Sequence, residues 1–345
     1  MNLRRNPRLR WAWSALSVLV LLGLGYATLS RLNWSEIQQT VRQANYEWVG
    51  VAWATVIIGQ WLRLWRAWRL MQSGGNIPWS RVARATLGAQ IINWLSPLRV
   101  GDVWRVWQMH PADTTNKTSL TGPSKTASMR LFRSALAIIV EKSLDSLALA
   151  LMALTLLILP APSTVGGNWM QLAVAASGAG LLLSTLLVLR PDMLQKQLVR
   201  RFPQLTNWGL HGSEANTEQA LFSIPDIVYT GLTTLLMWLL AGLTNIALAQ
   251  AFHIAWQWWM IPLLVVSIQT VSIVSPVPGN VGIIPLVTVG VFAVAGLPAS
   301  VGIAHGTLHY LLVYGTNLGW FLCYWFIRRN AARRHNQTKG ASSNK

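Results

Sequence analysis

The stretch Ile92-Asn93-Trp94-Leu95-Ser96-Pro97-Leu98-Arg99-Val100-Gly101-Asp102-Val103-Trp104-Arg105 begins like an apolar helix and then changes character. A proline, two arginines, a glycine and an aspartate follow the apolar start within a few residues. Proline removes a backbone hydrogen-bond donor and ends helices, and charged groups are costly in apolar surroundings. The stretch therefore predicts an interrupted helix whose polar groups have a role.

The rest of the chain has the composition of a membrane protein. Of its 345 residues, 52% are hydrophobic and 11% are charged, whereas soluble proteins have about 25% charged residues. Several apolar runs reach the ~20 residues that cross a bilayer. These runs lie at 11–30, 134–159, 169–189, 227–252, 256–274 and 303–327.

The net charge of +18 is unevenly distributed. All but three of the 28 lysines and arginines fall in four groups, at 4–10, 63–133, 190–201 and from 328 onward. All four groups can lie on one side of a membrane, as the positive-inside rule describes. Both termini are therefore predicted to be cytoplasmic, in a bacterial or archaeal plasma membrane. Attraction to anionic lipids accounts for the basic excess, so no nucleic-acid partner is expected.

We predict a single all-α transmembrane domain over 1–345, a polytopic helix bundle with about eight crossings. The first half covers 1–190, a cytoplasmic connection covers 191–224, and the second half covers 225–327, followed by a basic cytoplasmic tail at 328–345. The crossing at 282–297 is barely long enough to span, and whether it is a full crossing stays open.

Tryptophan and arginine alternate at the end of the second predicted helix, in residues 61–69. Tryptophan prefers the level of the lipid headgroups, and arginine can snorkel to that level. The pattern therefore predicts an interfacial anchor, with an RNA-stacking surface as the rival interpretation.

A second interruption, Ser275-Pro276-Val277-Pro278-Gly279-Asn280-Val281-Gly282, lies in the second half. Interrupted Gly/Pro-rich segments in matching halves are typical of transporter binding sites. Broken helices expose backbone groups that a membrane tolerates only inside protein or beside a watery cavity. Two such interruptions predict a polar cavity within the membrane; two ordinary proline-containing loops are the alternative.

Two carboxylates lie inside an apolar run. Glu141 and Asp145 are four residues apart and share a helix face, and Lys142 is placed to neutralise Asp145 in part. Intramembrane carboxylates normally face a protein interior and have partners, for which Arg99 and Arg105 are the candidates. Either these groups form a structural ion-pair cluster, or the arginines hold a lipid phosphate.

The sequence predicts no metal, no cofactor and no catalytic residue. His305 and His309, four residues apart, could ligate zinc, but no third ligand is evident, so helix packing is preferred. The lone Cys323 excludes an intramolecular disulfide framework and is interpreted as a packed thiol. A phosphate-binding Gly-x-x-x-x-Gly-Lys-Ser/Thr motif is absent from the sequence, so any transport would use a gradient or be passive.

Three motifs, in order, resemble those of one membrane family. Residues 97–105 resemble its Pro-x-Arg-x-Gly-acid-x-x-Arg signature, residues 141–145 its Glu-Lys-x-x-Asp, and residues 276–282 its Pro-x-Pro-Gly-Gly-x-Gly. The family includes the lipid-flipping membrane domain of lysylphosphatidylglycerol synthases and stand-alone flippase-like proteins. It often has an acid where Pro285 stands here and glycine at Leu98 and Asn280. A mechanism that needs a second-half carboxylate is therefore not expected.

The resemblance implies a flippase or transporter that moves an anionic or polyprenyl-linked lipid between leaflets. Arg99 and Arg105 would take the phosphate, and Asp102 would orient one of them. The carboxylates would complete the cavity, and the glycines and prolines would shape the interruptions. The predicted headgroup and cavity residues are Asn93, Pro97, Arg99, Gly101, Asp102, Arg105, Glu141, Lys142, Asp145, Pro276, Pro278, Gly279, Asn280 and Gly282.

Two other functions stay open at this point. One is a membrane transferase acting on a polyprenyl-phosphate lipid, with Glu141 and Asp145 binding a divalent ion, although the Asp-x-Asp motif of such enzymes is absent. The other is a scaffold subunit of a lipid-modifying complex. Expected partners are membrane lipids, and a second copy of the chain or a lipid-synthesis protein is a further candidate.

Overall fold

The computed structural model describes residues 34–72, 77–96, 100–109, 125–158, 224–274 and 277–343, and within these ranges the fold is all-α, as predicted. A 3₁₀ turn, Pro278–Asn280, stands between α7 and α8. The helices are α1 (Trp34–Arg42), α2 (Tyr46–Gln72), α3 (Trp79–Leu95), α4 (Val100–Gln108), α5 (Lys125–Ile158), α6 (Ile224–Ala251), α7 (Met260–Val274), α8 (Ile283–Val294) and α9 (Ala299–Ser343).

Some predicted elements lie outside the described ranges. These are the apolar runs at 11–30 and 169–189 and all but the last residue of the connection at 191–224. The same holds for Pro97, Arg99 and Pro276 of the predicted site. The basic segment after 328, predicted as a tail, continues α9 as helix to Ser343.

Among the described helices, one is long and apolar enough to cross a membrane by length and composition, over Pro225–Ala251. The shorter helix α8 has 12 residues, or about 18 Å at 1.5 Å per residue. This length is well below the ~30 Å of a bilayer core, so α8 alone is not a full crossing. The expected number of about eight crossings stays a prediction.

The membrane-length helix α6 has two contrasting faces. Its inner face packs on α2 in the most extensive helix contact of the described chain. Its outer face exposes a row of leucines at helical spacing, a surface that soluble monomers rarely present. These leucines are Leu232, Leu235, Leu236, Leu239 and Leu243.

Two apolar clusters hold the described helices together. One joins α2, α3 and α5 around Leu70, Val82 and Leu136. The other brings together helices α5, α6, α7, α8 and α9 around Trp259 and Phe292. Burial of apolar side chains is the main stabilising term in such packing, and both clusters border the helix interruptions.

Both predicted helix interruptions are present. In the first half, α3 ends at Leu95 and α4 begins at Val100. In the other half, the chain after α7 turns through left-handed backbone, with φ of 71° at Gly279, 51° at Asn280 and 77° at Gly282. Glycine adopts this conformation freely and asparagine tolerates it, which explains why the turn forms here.

Candidate functional site

Four charged side chains from three helices form a buried cluster. Arg66 Nη1 on α2 lies 2.8 Å from Asp145 Oδ1 on α5, and Arg66 Nη2 lies 3.0 Å from Glu141 Oε1. Arg105 Nη1 on α4 lies 3.0 Å from Glu141 Oε2. Glu141 therefore bridges two guanidinium groups, one through each carboxylate oxygen.

Three of the four side chains in the cluster are buried, and the cluster reaches a fourth helix. The Arg66, Arg105 and Glu141 side chains are 1%, 3% and 4% exposed, and Asp145 is 22% exposed. Arg66 Nη1 also donates to Thr234 Oγ1 on α6, at 2.6 Å. Buried charges are tolerated when they are paired and hydrogen-bonded. Both terminal nitrogens of Arg66 and both carboxylate oxygens of Glu141 have such partners.

The sequence analysis missed Arg66 because it lies among tryptophans. The predicted role as a snorkelling anchor is wrong for this residue, which is buried. Trp61 stacks on Trp65 with ring centroids 5.3 Å apart, and Trp65 packs at a tilt against Trp68 with ring centroids 5.4 Å apart. The signal for Arg66 was the apolar stripe Leu64, Ala67, Leu70 and Met71, whose helical spacing marks the buried side of α2.

The other charged residues predicted for the site differ in their partners and in their exposure. Arg105 pairs with Glu141, one of the carboxylates for which it was a candidate partner. Asp102 accepts a hydrogen bond from Asn93 Nδ2 at 3.2 Å and does not orient Arg105. Lys142 is exposed, so Asp145 is neutralised by Arg66 from another helix and not by its neighbour on α5.

Asn93 and Gly101 hold the first interruption together. The Gly101 N–H donates to Asn93 Oδ1 at 2.8 Å across the break between α3 and α4. A methyl group on Gly101 would overlap the backbone carbonyl oxygen of Ala89. Glycine is therefore required for the close approach of the two helices, which places Arg105 beside α5.

The two interruptions meet each other. Trp94 Nε1, near the end of α3, lies 3.2 Å from the Gly279 carbonyl oxygen and 3.1 Å from Tyr310 Oη. Tyr310 stacks on Tyr314 with ring centroids 4.4 Å apart, and Asn280 Nδ2 donates to Tyr314 Oη at 3.4 Å. The contact between the two interruptions is therefore direct, and tyrosines of α9 support it from both sides.

The histidines and the cysteine lie away from the charged cluster. His305 is buried, packs edge-on against Phe292 at 5.1 Å, and has its Nε2 3.4 Å from the Asn245 carbonyl oxygen. Cys323 is exposed on α9, so the packed thiol expected from the sequence is not found. Within the described ranges, no three His, Cys, Asp or Glu side chains gather in a way that could hold a metal ion.

An apolar helical chain with buried ion pairs beside two meeting helix interruptions has the features of a membrane protein with a polar interior. The sequence model of the lysylphosphatidylglycerol synthase TM region matches residues 14–318, and the chain belongs to that family. This confirms the resemblance and the membrane location. No curated protein and no solved structure matches the chain.

Proposed function

We propose that the protein is a multi-pass plasma-membrane transporter that moves an anionic or polyprenyl-linked lipid between leaflets. The buried Arg66–Glu141–Arg105 arrangement beside the meeting helix interruptions carries this proposal. Charged groups in the membrane interior normally mark the path of a polar substrate. The headgroup would pass through this polar interior while the hydrocarbon chains stay in lipid.

Arg105 keeps unused hydrogen-bonding capacity. Its Nη1 donates to Glu141, but among the residues that the structure describes Nε and Nη2 have no hydrogen-bond partner, although the side chain is buried. Unpaired buried donors cost free energy, and a guanidinium presents two parallel donors that match a phosphate. A headgroup phosphate would therefore supply the partners that Arg105 lacks, with Arg99 proposed as a second ligand.

Because Glu141 bridges two arginines, transfer of Arg105 from Glu141 to a phosphate would cost little electrostatic free energy. Each of its carboxylate oxygens accepts from a different arginine. A phosphate that takes Arg105 would leave Glu141 still paired with Arg66, so no carboxylate would remain buried alone. Removing the only partner of a buried charge is strongly unfavourable, and the double pairing avoids that state.

The helix interruptions would supply the movement that opens the buried cluster. Chain segments with left-handed glycines can absorb large backbone changes and act as hinges. Gly279 and Gly282 flank the turn that contacts Trp94. A shift of this turn would loosen the contact between the two halves and give a headgroup access to Arg105.

The proposal is tested with purified protein in liposomes that contain a fluorescent phosphatidylglycerol or a fluorescent polyprenyl phosphate. Dithionite added outside bleaches about half of the label without translocation, and we expect nearly all of it to be bleached with the protein present. Arg105→Lys keeps the charge but loses the planar fork, so translocation should slow by about tenfold or more. Arg329→Lys, at an exposed position on α9, is the matched control and should transport like the wild type.

Four results would contradict the proposal or replace it. Folded protein that translocates neither lipid would rule out the transporter, and wild-type rates for Arg105→Lys would rule out the phosphate contact. Product formation that needs a divalent ion, without translocation, would favour the transferase. Activity that appears only with a lipid-synthesis partner would favour the scaffold.

A further inference from the structure

A polar cavity of about 130 Å³ lies between α2, α6, α7 and α9, apart from the charged cluster. Half of its lining residues have polar side chains, and none of the lining residues is an aspartate or a glutamate. A cavity of this size and polarity has room for several water molecules or one small polar group. Its polar lining includes Gln60, Arg63, Asn245, Gln269, His309 and Asn317.

Arg63 supplies the positive charge of this cavity. It is the single lysine or arginine in the lining. In the part of the chain that the structure describes, no hydrogen bond or ion pair involves its guanidinium. Arginines that are withdrawn from water are usually paired, and a half-buried guanidinium that lines a cavity without such a pair favours an anion beside it.

The neighbouring charges do not neutralise Arg63. It lies within electrostatic reach of Arg66, Arg105, Glu141 and Asp145. Those two arginines and two carboxylates already balance one another through their ion pairs. Arg63 is therefore a third cation beside two anions. It is half-buried, and an uncompensated charge that is partly withdrawn from water is costly. The surplus positive charge favours an anion in the cavity.

Two further polar groups in the lining also lack hydrogen-bond partners within the described part of the chain. Asn245 is 1% exposed, and its Oδ1 has no partner while its Nδ2 donates to the Ala241 carbonyl of the same helix. His309 Nδ1 is likewise unpaired. Buried polar atoms normally bind protein, water or ligand, so the cavity offers an acceptor and an adaptable ring nitrogen beside the cation.

An apolar groove of about 580 Å³ lies between α2 and α9. Adjacent residues of the same helices line the groove and the cavity: Ile57 and Leu312 line the groove, and Val56 and Val313 line the cavity. A methyl group on Gly319, in the groove wall, would meet no atom within 4 Å. A polar site and an apolar groove therefore lie next to each other, as the two ends of a lipid require.

We propose that Arg63 binds the phosphate of an anionic lipid in this cavity and that the lipid's hydrocarbon chain lies in the α2–α9 groove. The site is distinct from the Arg105 contact and rests on the proposed function, because it names a second binding position for the transported class of lipid. Asn245 and His309 would bind polar groups next to the phosphate.

The test measures binding to the detergent-purified full chain by isothermal titration. The probes are inorganic phosphate, phosphatidylglycerol in mixed micelles, and diacylglycerol as the phosphate-free lipid. Arg63→Gln should weaken binding of phosphate and of phosphatidylglycerol by about ten- to one-hundred-fold, because a charge-assisted contact is lost. Arg63→Lys should keep most of the affinity. The control is Arg69→Gln, on the same helix, where the arginine is 48% exposed and paired with Asp226.

A second variant separates a lipid from free phosphate. Gly319→Leu fills the groove without an initial clash and should weaken phosphatidylglycerol binding by about tenfold while leaving inorganic phosphate unchanged. Unchanged phosphatidylglycerol affinity in this variant would make the cavity a site for free phosphate and overturn the lipid assignment. Unchanged affinity for both probes in folded Arg63→Gln would overturn the site.

The binding assay tests the Arg63 site, and the transport assay tests the transporter, so each proposal can be contradicted without the other. Binding that depends on Arg63, in a protein that translocates no lipid, supports the site and contradicts the transporter. Translocation at the wild-type rate by Arg63→Gln, with unchanged binding, contradicts the site and leaves the transporter standing.

Discussion

Trp94 Nε1 lies 3.2 Å from the carbonyl oxygen of Gly279, a residue 185 positions further along the chain. This hydrogen bond joins the end of α3 to the turn before α8, and so joins the two helix interruptions. Gly279 is buried and left-handed. Both its conformation and its lack of a side chain are needed, because a methyl group would overlap the Trp94 indole.

Gly279→Ala should therefore destabilise the protein more than Gly282→Ala. Both substitutions add about 1–2 kcal/mol of left-handed strain, but only the first adds an overlap with Trp94. Chemical denaturation in mixed micelles gives the free energy of unfolding. Gly290→Ala, with open space around the new methyl group, should be neutral or stabilising by up to about 1 kcal/mol. Equal losses at Gly279 and Gly282 would show that the indole does not set the constraint.

Arg66→Met should cost about 3–5 kcal/mol of unfolding free energy, because it leaves Asp145 without its partner in the interior. Adding Asp145→Asn to this variant should restore part of the loss, since Glu141 would keep Arg105. The half-exposed Arg69, changed to methionine, should cost no more than about 1 kcal/mol. A double variant less stable than Arg66→Met would contradict the pairing of Arg66 with Asp145.

Glu141→Gln should be more destabilising than Asp145→Asn. The glutamate is the partner of two arginines and is 4% exposed, whereas the aspartate pairs with one and is 22% exposed. We expect about 3 kcal/mol or more for Glu141→Gln and about 1.5–3 kcal/mol for Asp145→Asn. Denaturation of the two variants in the same micelles compares them directly. The reverse order would mean that Asp145, and not Glu141, is the central anion.

Gly101→Ala should separate α3 from α4. The new methyl group would overlap the Ala89 carbonyl and displace the N–H that donates to Asn93. Strain of this kind typically costs about 1–3 kcal/mol, and displacing α4 should also weaken the Arg105–Glu141 pair. Gly231→Ala, inside α6 with open space nearby, is the control and should not destabilise. Thermal unfolding measures the loss of stability, and trypsin cleavage after Arg105 measures how far the Arg105–Glu141 pair is weakened.

Several features were predictable because they depend on local chemistry. Clusters of proline and glycine disfavour continuous helix, so the interruptions after Leu95 and after Val274 followed from residue type. Glu141 and Asp145 share a face at any helix position because their spacing matches a helical turn. The family match over 14–318 confirms what the three motifs indicated.

The partners of those carboxylates could not be predicted in the same way. Arg66 is 75 residues from Glu141 and 79 from Asp145, and its neighbours in sequence are tryptophans that favour an interfacial position. The apolar stripe marks the buried side of α2, but which residues of α5 and α6 face Arg66 there depends on how these helices pack. A one-dimensional pattern of arginine and tryptophan does not contain that information.

By itself, the sequence determined that the chain is helical, apolar and interrupted twice, and that two carboxylates lie within an apolar helix. These are consequences of residue type and helical spacing, which act over a few residues. Only the tertiary structure decided that Arg66 completes the charged cluster, that Trp94 meets Gly279, and that Arg63 has no partner among the described residues. Each of these depends on which helix faces pack together, and packing is settled by contacts between residues far apart in the chain.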